Sequence, residues 1–508
     1  MFQKNPTKKL YAIVFLTGAI VMILELIGSR ILGPSLGTST FVWASIIGVI
    51  LGAMSLGYYY GGKLADKNPN WRTLAQVIFL SGIFVFTIII FKQNVLDLSV
   101  GFGVKAGAVF ASAFLFMMPS FLLGMVSPYA VRLAMETIEN SGRTVGNLYA
   151  VSTFGSIVGT FSAGFFFIPH FGNVNILYGL AISLFAVGIF CYDGGGRRRM
   201  EVAVLAVVLG GFSMAVEAAN GGRYIYEQDS AYNHIRVFET ERGGRPVRVM
   251  SVADFFDSGM YLDSDELVFE YTKYYALDKV FGGAIKRAAM FGGAAYSVPK
   301  DFLKRNSAGV IDVVEIDPET TEVAKKYFKL EDDPRMNIIH NDARIFLNEE
   351  TKAGKNKYDT IYNDAFSSAC AVPAHLTTEE AVEEVYELLD EDGVYIVNTI
   401  SALEGEKSTF FRAEYKTISE VFDGVYVFHT EESGYSADDV QNIMIVATKN
   451  KEGIEQIGKR FRGNGGDEKT GKLLENYWGK EIKTDDVQIL TDDFSPVSYY
   501  AAAACSVD

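Results

Sequence analysis

Long apolar stretches dominate the first 220 residues of the chain. Each stretch is roughly 17–25 residues long, and a helix of that length crosses about 30 Å of hydrocarbon at about 1.5 Å per residue. The pattern predicts an N-terminal α-helical transmembrane bundle at residues 1–220 with about seven spans, near 10–32, 41–62, 73–91, 106–130, 145–168, 173–192 and 200–217. Glycines inside the stretches, such as Gly155 and Gly159, favour close packing of neighbouring helices in a lipid membrane.

Basic residues flank the predicted spans and indicate their orientation. They precede the first span, follow the second and follow the sixth: Lys4, Lys8, Lys9, Lys63, Lys67, Arg72, Arg197, Arg198 and Arg199. Because Lys and Arg are enriched in cytoplasmic loops, we expect all three clusters to lie in the cytoplasm. A full crossing at 200–217 would place the rest of the chain outside, whereas a stretch that stays in the interface keeps it inside. We expect an integral protein of the cell membrane whose second half faces the cytoplasm.

The pattern changes after the apolar stretches. Residues 224–262 alternate apolar and polar positions around the turn GGRP, which predicts a small antiparallel β subdomain with a linking helix at 221–285. From about residue 287, short apolar strands alternate with amphipathic helices. This alternation is typical of a doubly wound parallel sheet, so we predict a C-terminal α/β Rossmann-like domain at 286–508.

Composition and charge narrow the class of ligand. Of 508 residues, 49% are hydrophobic, which fits a chain that is part membrane protein and part soluble domain. The formal net charge is −15 and the acids concentrate after residue 225, which argues against nucleic acid as a partner and suits a cationic ligand. Cys191, Cys370 and Cys505 are far apart and form neither a disulfide framework nor a zinc pattern, so no metal is predicted.

Four successive predicted strands end in glycines or an acid. The strand RAAMF is followed by Gly292 and Gly293, VIDVV by Glu315, and the next two strands by Asp342 and Asp364. The carboxyl ends of parallel strands share one edge of the sheet, where doubly wound folds bind ligands. A glycine turn lets a nucleoside approach the backbone, and an acid about twenty residues later accepts hydrogen bonds from a ribose. We therefore predict a nucleoside site at this edge.

These motifs carry a resemblance to a known family. The runs SAYNHIRVFE, FGGAAYSVP, VVEIDP, HNDARIFL and YDTIYNDAFSSACAVPAHLTTEE resemble those of spermidine synthase and related polyamine aminopropyltransferases. The helical bundle before them resembles the bacterial membrane proteins described as fused transporter/spermidine synthase. The resemblance implies a methyltransferase-type Rossmann domain with a small β-hairpin subdomain. It also implies transfer of an aminopropyl-type group to an amine in polyamine synthesis, with release of 5′-methylthioadenosine.

The resemblance assigns the donor site to individual residues. Glu315 would hold the ribose hydroxyls of the co-substrate, decarboxylated S-adenosylmethionine or S-adenosylmethionine. Asp342 with Ala343 would read the adenine amino group, and Gly292 and Gly293 would pass beneath the nucleoside. Two further residues stand where the family has residues that grip the donor: Asn233 and Asp257.

Asp364 matches the catalytic acid of the family, which orients or deprotonates the attacking amine. A sulfonium carbon is already an activated electrophile, so the protein has mainly to position an amine and keep it unprotonated. A carboxylate beside the amine accepts a proton and attracts an incoming cation. The resemblance therefore implies that Asp364 is the catalytic residue.

The chain departs from the family where amino groups would be held. The family aspartate in the glycine loop is replaced at about Ala295 or Tyr296, and a second aspartate, three residues after the catalytic one, by Ser367. Acids that could replace them lie nearby in sequence: Asp254, Asp257, Asp263, Asp265, Glu270, Asp492 and Asp493. We predict that Asp493 lines the acceptor side, with Tyr296 and His375 as further substrate contacts. The structural alternatives are a turn before Pro496 for the acid and packing for the two rings.

Two other functions stay open at this point. The missing amine-binding acids favour an S-adenosylmethionine-dependent methyltransferase or a sulfonium-cleaving enzyme. A polyamine transporter or sensor with a non-catalytic nucleoside-binding domain is the third hypothesis, and the retained Asp364 argues against it. The soluble family also forms oligomers, so a homo-oligomer is a further expectation.

Overall fold

The chain divides into two compact units. The computed structural model describes residues 6–135, 141–192, 224–252, 255–354, 357–366, 372–430 and 436–504. One unit comprises Met1–Arg223 with Gln228–Ala231, and the other comprises Tyr224–Glu227 with Tyr232–Ser506. The sequence boundaries at 220 and 285 stay predictions.

Six long helices make up the described part of the first unit. They are α1 (Pro6–Leu36), α2 (Thr40–Lys67), α3 (Trp71–Val100), α4 (Gly103–Ala134), α5 (Ser141–Ser162, continued through a π-helical turn to His170) and α6 (Asn173–Cys191). All six are long and apolar enough to cross a membrane. They coincide with six of the seven predicted spans, and the remaining one, 200–217, lies outside the described residues.

Glycines bring the helices of this unit into backbone contact. A Cβ atom at Gly57 of α2 would overlap the backbone of Phe121 in α4. Likewise, a Cβ at Gly155 or Gly159 of α5 would overlap the backbone of α1. Small residues at such positions let helices pack closely where lipid supplies no hydrophobic driving force. The predicted packing role of Gly155 and Gly159 therefore agrees with their positions.

A small antiparallel sheet precedes the larger one. Its strands are β1 (Tyr226–Asp229), β2 (His234–Arg242), β3 (Arg245–Val252) and β4 (Phe255–Tyr261), in that spatial order. Gly243 and Gly244 join β2 to β3 with φ of +59° and +74°. A two-residue turn with positive φ at both positions matches the twist of a hairpin, which is why the sequence places two glycines there.

The second unit is built on a seven-stranded sheet in the order β10-β11-β9-β8-β5-β6-β7. Strands β5 to β9 are parallel, and β11 is antiparallel to both of its neighbours. The strands are β5 (Arg287–Phe291), β6 (Val310–Val314), β7 (Met336–Ile339), β8 (Tyr358–Asn363), β9 (Leu389–Ser401), β10 (Gly424–His429) and β11 (Gln441–Thr448). The chain reverses its direction of travel between β5 and β8, which is the switch point where this architecture opens a crevice.

Helices of the second unit cover both faces of this sheet. They are α7 (Glu270–Lys273), α8 (Leu277–Phe281), α9 (Ser297–Arg305), α10 (Pro318–Tyr327), α11 (Ala343–Ala353), α12 (Glu379–Leu388), α13 (Thr409–Val421), α14 (Ile454–Gly463), α15 (Glu468–Lys472) and α16 (Val497–Ala504). Two large apolar clusters lie between the sheet and these helices. The predicted Rossmann-like α/β architecture is confirmed, with four strands in the small sheet rather than a single hairpin.

Candidate active site

The glycine turn after β5 brings two strand ends together. Gly292 has φ of +89°, and a Cβ atom built on it would lie 2.5 Å from the carbonyl oxygen of Asp364. Its N–H donates to the carbonyl of Val314 at the end of β6, while Asp364 N donates to the carbonyl of Phe291. A side chain at this position would meet both steric and conformational strain. Gly292 is therefore required by the turn itself.

Glu315 is fixed by backbone donors of the same turn. Its Oε2 accepts from Gly293 N at 2.8 Å and from Ala294 N at 3.2 Å, and its Oε1 accepts from Asp317 N at 3.0 Å. Burial raises the pKa of this carboxyl, and the three N–H donors oppose that rise. A carboxylate has about four acceptor positions, so three bonds leave room for a ligand hydroxyl. The acid is thus rigid and still able to accept a hydrogen bond.

Tyr296 packs against the glycine turn. Its side chain is 0% exposed, its hydroxyl is 2.7 Å from Thr321 Oγ1, and its ring lies against the Cβ position of Gly293. Tyr296 and Ala294 both adopt positive φ, which is strained for residues other than glycine. Full burial argues against the substrate contact predicted for Tyr296. The sequence shows an aromatic residue after a glycine turn but does not show that the turn folds over its ring.

Asp342 and His375 form a second group at the same sheet edge. Asp342 caps α11, because its Oδ1 accepts from Arg344 N at 2.8 Å, and its Oδ2 is 3.2 Å from His375 Nε2. Ala343, the first residue of α11, is buried beside it. The side chains of Asp342 and His375 are 27% and 49% exposed. The structure thus places two predicted site residues in contact, with polar atoms open to a ligand.

Asp364 follows β8 and is surrounded by uncharged hydrogen-bond donors. Asn398 Nδ2 donates to its Oδ1 at 2.8 Å, and the Tyr271 hydroxyl is 3.4 Å from its Oδ2. Burial raises the pKa of the Tyr275 phenol, and the nearby Asp364 carboxylate raises it further. Burial raises the pKa of the Asp364 carboxyl to about 6, against the effect of these donors. This is a carboxylate that accepts a proton more readily than an ordinary aspartate.

Three acids that could replace the missing amine-binding residues form ion pairs with basic residues. Asp263 pairs with Arg245, Asp265 with Lys304, and Glu270 with Lys273. All three side chains are substantially exposed, at 51%, 75% and 36%. They are therefore weak candidates for a substrate amine.

The remaining predicted positions are spread along the chain between residues 233 and 493. Asn233 directly precedes β2. Asp257 is in β4, but its side chain lies outside the described residues, as do Asp254 and Ser367. Asp493 is exposed, whereas its neighbour Asp492 is held by Arg344 at 2.8 Å.

Sequence reasoning missed Asn398, Tyr275 and Arg344. Asn398 is a polar residue in the buried run VYIVNTIS of β9, and such an interruption is a signal that could have found it. Its Oδ1 is buried without a hydrogen-bond partner among the described residues. Tyr275 and Arg344 carry no comparable signal, because their contacts join distant parts of the chain. Across the described ranges, three or more His, Cys, Asp or Glu residues nowhere gather as a metal site would require.

The order of the seven strands, with the glycine turn and the acids at their carboxyl edge, defines a methyltransferase-type Rossmann domain. Comparison with known proteins narrows this class. Residues 279–450 match the spermine/spermidine synthase domain. The resemblance to the spermidine synthase-like family is confirmed over this part of the chain.

Three relatives illustrate the similarity. A polyamine aminopropyltransferase of Vibrio vulnificus (strain CMCP6) is 27% identical over 314 residues, which cover 58% of this chain and 96% of that protein. Polyamine aminopropyltransferase 1 of Streptomyces coelicolor is 23% identical over 417 residues, covering 78% of this chain and 76% of that protein. The crystal structure of a probable spermidine synthase from Corynebacterium glutamicum is 20% identical, with a TM-score of 0.39, and covers 52% of this chain and 98% of that one.

Proposed function

We propose that this protein is a membrane-bound aminopropyltransferase that moves an aminopropyl group from decarboxylated S-adenosylmethionine to an amine and releases 5′-methylthioadenosine. The observation that carries the proposal is Asp364, a carboxylate with a pKa of about 6 beside the glycine turn. The relatives named polyamine aminopropyltransferase support the same reaction, and the prediction of an aminopropyltransferase made from the sequence is confirmed by them.

The donor is proposed to lie along the carboxyl edge of β5, β6 and β7. Glu315 would accept hydrogen bonds from the ribose hydroxyls, with Gly292 and Gly293 beneath the nucleoside. The exposed side chains of Asp342 and His375 would meet the adenine end, together with Ala343 beside them. The turn requires little rearrangement to bind, because its backbone N–H groups already hold Glu315 in place.

The acceptor amine is proposed to bind at Asp364. The sulfonium needs no further activation, so the protein gains rate by placing a neutral amine in line with the reacting carbon and accepting its proton. Asn398 and Tyr271 orient the carboxylate through hydrogen bonds to its two oxygens. The acceptor is thus recognised by neutral groups around one carboxylate.

A product assay tests this function. Purified full-length protein is incubated with S-adenosylmethionine or its decarboxylated form and a panel of amines, and the products are identified by mass. We expect 5′-methylthioadenosine and an amine heavier by one aminopropyl group, and only with the decarboxylated donor. S-adenosylhomocysteine as the sole nucleoside product would overturn the proposal.

Methyl transfer is the second candidate, and one observation favours it. Asp263, Asp265 and Glu270, which could have replaced the missing amine-binding acids, are paired with basic residues. A second ammonium group on the acceptor would have to compete with Arg245, Lys304 or Lys273 for these three acids. The same assay separates the two candidates, because methyl transfer yields S-adenosylhomocysteine.

The six helices of the first unit are proposed to span the cell membrane, with the second unit in the cytoplasm. With residues 200–217 in the interface, as an added part of the proposal, the six described helices return the chain to the side where it started. The basic residues near 4–9, 63–72 and 197–199 favour the cytoplasm for that side. The Streptomyces relative matches 78% of the chain, more than the second unit alone supplies. A cytoplasmic site would also have direct access to a donor made in the cytosol.

A further inference from the structure

A C-terminal segment, residues 487–497, is tied to the helices at the carboxyl edge of the sheet. Glu379 N donates to the carbonyl of Leu490 at 2.7 Å, and Asp492 N donates to Glu380 Oε2 at 2.9 Å. Leu490 N donates to Thr417 Oγ1 at 2.9 Å. These bonds place Asp492 beside the N-terminus of α12, near the loop that carries His375.

Arg344 joins this segment to α11. Its Nη1 donates to Asp492 Oδ1 at 3.1 Å and its Nη2 donates to Asp492 Oδ2 at 2.8 Å, which is the paired geometry of a guanidinium on a carboxylate. The same Nη1 is 3.0 Å from the His375 carbonyl and 3.0 Å from Thr378 Oγ1. Glu384 is 3.2 Å from Nε on the other side of the group. One side chain therefore links the C-terminal segment, the His375 loop and α11.

We propose that the Arg344–Asp492 pair is a positioning device for the base end of the donor site. Arg344 lies two residues after Asp342 on α11, and it holds the backbone of His375, whose imidazole meets Asp342 at 3.2 Å. Asp342 and His375 are too exposed for burial to fix their orientation. Arg344 itself is 14% exposed, so its contacts are well ordered by packing. The pair sets the spacing of Asp342 and His375 for the nucleoside.

The chain supplies a matched control for this pair. Arg412 of α13 makes the same paired contact with Asp486, with Nη2 2.9 Å from Oδ2, and also holds the C-terminal region. Asp486 is 65% exposed, and Arg412 also donates to the Lys483 carbonyl. This second pair has the same chemistry, but within the described part of the chain it contacts neither Asp342 nor His375. Its loss therefore reports the general effect of loosening the chain directly before the C-terminal segment.

The test measures binding of 5′-methylthioadenosine by calorimetry to the full chain in detergent, together with donor KM and kcat. The inference rests on the proposed function, so the parent protein must bind this nucleoside. We expect Asp492→Asn to raise the nucleoside Kd and the donor KM about tenfold, with kcat within about twofold, because a charge-assisted hydrogen-bond pair is lost. Asp486→Asn should change all three by less than about twofold.

A double variant separates positioning from a general loss of structure. Arg344→Lys keeps the charge and loses the planar fork of the guanidinium. The double variant with Asp492→Asn should bind the nucleoside no more weakly than the weaker-binding of the two single variants. Thermal unfolding of each variant shows whether it folds. Parent-like nucleoside affinity in Asp492→Asn, or an equal loss in Asp486→Asn, would overturn the inference. A parent that binds no nucleoside would instead reject the proposed function.

Discussion

Two carboxylates at the sheet edge have different surroundings and therefore different chemistry. Glu315 accepts three backbone N–H bonds, which fix its position beside the glycine turn. Asp364 is met by the amide of Asn398 and the phenol of Tyr271, while burial raises its pKa to about 6. Backbone donors suit an acid that holds a ligand, and a raised pKa suits one that accepts a proton near neutral pH. The different surroundings of the two carboxylates thus assign donor binding to one and proton transfer to the other.

The raised pKa of Asp364 predicts the acid side of the pH–rate profile. Below about pH 6 the carboxylate becomes protonated and can no longer accept a proton from the amine, so kcat/KM should fall by about tenfold per unit of pH. The measurement is kcat/KM from pH 4.5 to 8, corrected for the protonation of the free amine acceptor.

Glu414 provides the control for this assignment. Burial raises the pKa of Glu414 to about 7, and its Oε2 accepts a hydrogen bond from Thr399 that glutamine can also accept. The acid limb should stay near pH 6 in Glu414→Gln. A limb that disappears in that variant while the parent keeps it would show that Asp364 is not the titrating group.

Among the secondary-structure elements, the ends of the parallel strands were predicted best from the sequence. Glycines and acids after four apolar runs predicted one edge of a parallel sheet, and the structure brings Gly292, Glu315 and Asp364 together there. The burial of Tyr296 could not be predicted from the sequence, because it depends on the glycine turn packing over the tyrosine ring. The Arg344–Asp492 contact could not be predicted either, since its two residues are 148 positions apart in the sequence.

Gly292→Ala should damage the site as well as the turn. The substitution places an L side chain at φ of +89° and a Cβ atom 2.5 Å from the Asp364 carbonyl, so the end of β8 must shift. We expect a stability loss of about 1–3 kcal/mol and a kcat at least about tenfold lower. Thermal unfolding and steady-state rates measure the two effects.

Gly283 is the matched control, because its φ is +85° and a Cβ atom there would have nothing within 4 Å. Gly283→Ala isolates the conformational strain from the contact with Asp364. It should lower stability with kcat within about twofold of the parent. Equal losses of kcat in the two variants would contradict a specific role for the Gly292 turn.

For the whole molecule, the sequence predicted a helical bundle followed by a Rossmann-like domain, because both signals are long and periodic. Six apolar helices and a seven-stranded sheet follow in that order. The residues at 200–217 lie outside the described part of the chain, so the side of the membrane that the second unit faces is still a prediction. The prediction that the second unit faces the cytoplasm follows from six spans and from the charge of the loops.

Protease accessibility in intact cells tests this orientation. With six spans, an externally added protease should leave the second unit intact in whole cells and degrade its exposed loops, such as the one near Gly465, after lysis. A cytoplasmic protein of the same cells controls for leakage. Cleavage of the second unit before lysis would show that an odd number of segments crosses the membrane.

The most direct test of the central claim is the release of 5′-methylthioadenosine by the parent and by Asp364→Asn at saturating decarboxylated S-adenosylmethionine and amine. Asparagine keeps the size of the side chain and removes a charge that burial disfavours, so the variant should fold and bind the donor within about twofold of the parent. We predict product release slower by about 10²–10⁴-fold in the variant. Release at the parental rate, or no release by the parent with any amine, would contradict the account.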